Sequence, residues 1–161
     1  MWFSGTPEID KEIRLQFEDI YHEELSHFSI ENQKDAEDFL SLIILFDQFP
    51  RNMFRYSPKA YEADAKARLL CQVGLEQDLD QKLPKFMRPF FYMPLEHSEN
   101  LEDQIVSVSL FKKLGDPSYL QYAIDHYKVI QEFGRFPYRN QILGRKNTPE
   151  EVDFLKNRDN P

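Results

Sequence analysis

The chain has 161 residues, a formal net charge of −8 and a single cysteine. That length suffices for one domain with a real core. The acidic balance speaks against general nucleic-acid binding, which needs lysines and arginines to neutralise phosphates. A lone thiol, Cys71, excludes an internal disulfide and suits a reducing compartment.

With 14 Phe and 8 Tyr against 5 glycines, the composition favours packed helices. The N-terminus, MWFSGTPEIDKEI, has no basic region followed by an apolar core, so it is not a secretory signal. The longest apolar run, Phe39 to Phe46, is far shorter than the roughly 20 residues a membrane span needs. These features predict one soluble, cytoplasmic, all-α domain over residues 1–161, with a polar tail from about residue 157.

In chain order, Ile9, Ile13, Phe17, Ile20, Tyr21, Leu25 and Phe28 recur at helical spacing and predict a first amphipathic helix with an acidic outer face. Glu24 and His27 share the spacing of carboxylate-bridged metal bundles, but no second such motif accompanies them. A second helix is predicted from the region of Asn32 to Asp35, with Pro50 ending it near Gln48 or Phe49. Ser57-Pro58 predicts the start of a third, serine as cap and proline first, with Ala60, Ala63, Ala67, Leu70 and Val73 inward and Gly74 as its C-terminal cap.

Prolines at 84, 89 and 94 forbid a long helix over residues 75–95. Phe86, Met87 and the Phe90 to Met93 run nevertheless call for burial in one or two short helices. A further helix is carried by Leu101, Ile105, Val108, Phe111 and Leu114 and closed by Gly115. Asp116-Pro117 opens the next, through Leu120, Ile124, Tyr127 and Ile130, and Gly134 ends it. Thr148-Pro149 starts a last short helix. The total is about seven helices in antiparallel pairs.

Charge is unevenly laid out. Residues 1–47 hold 12 acidic and 3 basic side chains. Three acid-free stretches contrast with this: one with Arg51, Arg55 and Lys59, one with Lys82, Lys85 and Arg88, and one with Arg135, Arg139, Arg145 and Lys146. Two related corners punctuate the chain, Phe49-Pro50-Arg51-Asn52 and Phe136-Pro137-Tyr138-Arg139-Asn140.

The segments LIILFDQFPRNMFR, FYMPLEHSENLEDQ and HYKVIQEFGRFPYRN, in this order, resemble a bacterial family labelled domain of unknown function 924. The resemblance runs from about Trp2 to Leu155. It implies a tetratricopeptide-like, right-handed helical stack and carries no settled activity. His97, Glu99, Gln104, His126, Arg135, Arg139 and Asn140 match the family's motif positions. Tyr138 stands where the family commonly has histidine.

The candidate site residues are therefore Asp47, Gln48, Arg51, Asn52, His97, Glu99, Gln104, His126, Arg135, Arg139 and Asn140. One expectation is a binding module whose arginines hold a small anion or an acidic peptide by bidentate hydrogen bonds. A second is a small-molecule enzyme, hydrolase-type or metal-assisted, using His97 and His126 with Glu99 and Asp103 beside the arginines for acid–base chemistry. A third is that the corners only satisfy buried polar groups. No Gly-rich nucleotide loop, nucleophile motif or paired metal-ligand spacing is present, and no cofactor is expected.

Overall fold

Thr6 begins the first helix: its hydroxyl accepts from the Ile9 amide at 3.4 Å, ahead of α1, Pro7–His27, which starts two residues before the Ile9 of the sequence reading. The computed structural model describes residues 6–157, and every regular element among these is helical. The tail expected beyond Asn157 lies outside the described residues. Two compact units divide the chain, Met1–His97 and Ser98–Pro161. No helix among the described residues is long and apolar enough to cross a membrane.

In the first unit α1 packs its aromatic face on the rings between Phe46 and Phe54. The ring of Phe17 lies 4.4 Å from that of Phe49, and Tyr21, wholly buried, sits among Phe46 and Phe54. Asp35 caps α2, Ala36–Ile43, through the Asp38 amide at 2.9 Å. Contrary to the sequence expectation, Pro50 does not end this helix. A π turn, Ile44–Gln48, is followed directly by α3, Phe49–Met53. The Phe49 amide reaches back to the Ile44 carbonyl, and that wider turn relieves the backbone of the bond and the space a proline denies it.

Ser57 caps a 3-10 turn, Pro58–Tyr61, and α4 starts only at Asp64, running to Glu76. The sequence predicts Gly74 as its C-terminal cap, but Gly74 lies inside α4. The reason is close approach: a Cβ there would stand 2.4 Å from Cζ of Phe91 and 3.2 Å from Phe39. Gly74→Ala is expected to cost about 1–3 kcal/mol by overpacking, read as a lower urea midpoint. An unchanged midpoint would show that the Phe91 ring can yield.

Two short helices, α5 (Leu79–Lys82) and α6 (Arg88–Glu96), occupy the proline-rich segment. They are joined internally by the Tyr92 hydroxyl, which donates to Asp80 at 2.6 Å. Phe91 to Met93 are buried as expected, but Phe86 is not: it is 71% exposed at the turn between the two helices.

In the second unit α7, Leu101–Leu114, packs along α8, Pro117–Phe133. Gly115 and Gly134 close them in the left-handed conformation, at φ 77° and 68°. The buried stripe of α7 differs from the expected one. Phe111 and Leu114 are inside, but Leu101 and Ile105 are exposed, and Asp103, Gln104 and Ser107 are buried. Polar bonds set this register: Ser98 donates to Asp103 at 2.5 Å, and Gln104 donates to the Ser98 carbonyl at 2.7 Å. A 3-10 turn, Pro137–Arg139, and the last helix α9, Pro149–Asn157, complete the unit. The two Phe-Pro corners, alike in sequence, are thus a continuing helix in one case and a turn after a helix end in the other.

A buried aspartate and histidine in the candidate functional site

The π turn places Asp47 inward, with no exposed surface at all. Both of its carboxylate oxygens face one ring nitrogen of His97, Oδ1 at 2.8 Å and Oδ2 at 2.9 Å from Nδ1. His97 stands at the C-terminal end of α6 with its side chain 17% exposed, so the pair runs from the core to the surface. Gln48 donates from Nε2 to Asp47 Oδ2 at 2.5 Å. Arg51 lies 3.2 Å from Asp47 Oδ1, donates to the Asp47 carbonyl, and holds Asp64 through two bonds of 3.0 and 3.1 Å.

Burial works against a charge on Asp47, yet Arg51 and His97, with hydrogen bonds from His97 and Gln48, outweigh it and hold the carboxyl well below its usual range. Glu96, next to His97 and only 5% exposed, goes the other way: burial first, then the charge of Asp47, push it up to about 8. Two buried carboxyls in one cluster therefore take opposite protonation states at neutral pH. Asn52, the fourth candidate of this corner, points elsewhere and donates to Asp10 at 2.8 Å, where Arg55 also binds.

The second corner forms a separate set of ion pairs. Arg135 grips Glu151 through bonds of 2.6 and 2.8 Å and donates to the Lys146 carbonyl. Arg145 grips Glu99 at 2.7 and 2.9 Å and donates to the Phe136 carbonyl, while the Phe136 amide donates to Glu99. Asn140 donates to Asn147 at 2.7 Å and to Glu151 at 3.2 Å. The buried Arg139 guanidinium lies 4.5 Å over the Phe136 ring. His126 donates from Nδ1 to the Tyr122 carbonyl and meets the Phe136 ring edge-on. Gln104 is held at Ser98.

Sequence reasoning thus names both members of the Asp47–His97 pair and the arginine beside them. It misses Asp64, Glu96 and Glu151. Glu151 has a readable signal: Thr148-x-x-Glu151 is a capping box, and the two residues exchange bonds of 2.7 and 3.2 Å. Glu96 has none, since nothing local marks a carboxyl for burial. Among the described residues no group of three or more His, Cys, Asp and Glu side chains is arranged to hold a metal ion.

These features define an all-helical protein with a buried aspartate held by a partly exposed histidine and arginine in its first unit and an ion-paired corner in its second. The chain belongs to the family described as bacterial protein of unknown function (DUF924), whose model matches residues 1–159. It is similar to a solved structure of a protein of unknown function, ATU0120 from Agrobacterium tumefaciens. The two are 35% identical with a TM-score of 0.90, over 96% of this chain and 88% of that one. No curated protein matches the chain.

Proposed function

We propose that Asp47 and His97 form a proton-transfer site and that the chain acts on a small polar molecule by general acid–base chemistry. The observation that carries this reading is the fully buried Asp47 carboxylate directed with both oxygens at Nδ1 of a partly exposed imidazole. A carboxylate there fixes the proton on Nδ1 and makes Nε2 the basic nitrogen. The π turn that presents Asp47 supports it, since such turns concentrate at functional sites. So does the opposite protonation of Asp47 and Glu96, the arrangement that supplies a base and an acid together.

The reading as a binding module on a tetratricopeptide-like stack, with arginines open to an anion or acidic peptide, has less support. Arg51, Arg55, Arg135 and Arg145 each already hold a carboxylate of their own unit. At the second corner the purely structural reading is favoured by the bonds of Arg135 and Arg145 to the Lys146 and Phe136 carbonyls. The lone buried thiol of Cys71 supports a cytoplasmic setting.

Carbethoxylation by diethyl pyrocarbonate, mapped by peptide mass, tests the proton-transfer reading. At neutral pH His97 is expected to react about tenfold faster in the native chain than in Asp47→Asn, whose amide imposes the wrong tautomer. His22, on the surface, is the internal control. Equal rates at His97 in the two proteins, both shown folded by circular dichroism, would sink the reading.

A further inference from the structure

The turn between α5 and α6 is one of the acid-free stretches singled out in the sequence, and neither corner uses it. It exposes Phe86 at 71%. Lys82 and Lys85 beside it are exposed and make no ion pair among the described residues, while Arg88 is folded back onto Gln81 and the Leu83 carbonyl. A bare aromatic ring beside two unneutralised lysines is out of place on a chain of net charge −8. Its complement lies on the same unit. On α1, Leu15 is 77% exposed, and the helical repeat puts Glu8, Glu12, Asp19 and Glu23, all exposed, along one side of it. Lys11 lies on the other side.

We infer that the Lys82–Lys85–Phe86 knob docks on the acidic face of α1 around Leu15 in a second copy of this chain. Phe86 covers Leu15, burying an exposed aromatic and an exposed aliphatic side chain together, while the two lysines face the four carboxylates. Charge complementarity of this kind sets register and partner choice, and a central aromatic supplies most of the affinity. Because the charges sit at the surface, added salt weakens the contact. The inference is independent of the proton-transfer reading, since none of its residues belongs to the Asp47–His97 cluster.

Sedimentation velocity on the full chain over a wide concentration range, at low and high salt, tests it. The native protein is expected to self-associate reversibly at low salt and to dissociate as salt rises. Phe86→Asp and Leu15→Asp should each raise the dissociation constant about thirtyfold, the loss expected for a central interface anchor. Both positions are exposed, so folding should survive, and circular dichroism checks that it does. Lys85→Glu should weaken association, and combining it with Glu12→Lys should restore part of the loss. A monomer at every concentration would overturn the inference. So would association indifferent to Phe86→Asp and Leu15→Asp, or lysine-dependent binding to anionic lipid vesicles in place of self-association.

Discussion

Asp47→Ala is expected to destabilise the first unit by about 3–5 kcal/mol, the loss typical when one member of a buried ion pair is removed. The carboxylate is fully buried and serves three side chains at once, Gln48, Arg51 and His97, so its removal costs each of them that acceptor and leaves Asp64 as the carboxylate facing Arg51. Urea unfolding followed by circular dichroism reads the change. A loss below about 1 kcal/mol, the range of a surface pair, would mean that water enters and replaces the carboxylate.

The same cluster sets two opposed pH dependences. Asp47 titrates lower in the folded chain than in the unfolded one, so its contribution is present above the ordinary carboxylate range, near pH 4, and is lost as pH falls below it. Glu96 titrates higher, at about 8, so between about pH 4 and 8 the folded chain holds a proton the unfolded chain has released. Stability from this group therefore falls as pH rises through that window. Glu96→Gln should flatten the fall and raise the urea midpoint at pH 8. A midpoint that drops with Glu96→Gln would show that the ionised carboxylate is the form the fold uses.

Glu151→Ala should detach the last helix from the second unit. Its carboxylate, 2% exposed, accepts from Arg135, Asn140 and the Thr148 amide, and the ring of Phe154 against Phe133 also fastens α9. Losing these charge-assisted bonds costs about 2–3 kcal/mol. Amide hydrogen exchange is expected to accelerate across Pro149–Asn157 while α7 keeps its protection. Uniform acceleration over the whole unit would mean that α9 is integral to its core. Arg135, foremost, holds Glu151 down at about 2 against the opposing effect of burial. The fastening is thus complete above about pH 4 and is released as pH falls toward 2. Acid should free α9 first.

How far the site could be read in advance differs by residue. Asp47, Arg51 and His97 stand in conspicuous segments, beside Phe-Pro and before a helix start, and all three prove to belong to one cluster. Their partners Asp64 and Glu96 carry no local mark. Asp64 begins α4, where an acid is expected for the helix dipole alone, and Glu96 sits in a run of aromatics whose burial takes it along. At the second corner the cations were legible, but the carboxylates that occupy them come from up to 46 residues away in the chain.

The sequence by itself determined the helical class, most helix starts and the two glycine stops, because caps, prolines and left-handed glycines act within a turn of the residues that carry them. It also determined where positive charge collects. Only the tertiary structure decided that Pro50 is carried through a π turn, that Gly74 is a contact and not a cap, and that α7 buries Gln104 in place of Ile105. Tertiary packing likewise decided that the arginines face carboxylates of their own units. The glycine contact and the arginine pairs depend on a ring or a carboxylate from elsewhere in the chain, while the π turn and the α7 register rest on bonds five or six residues apart, and neither is encoded by the cap and proline patterns.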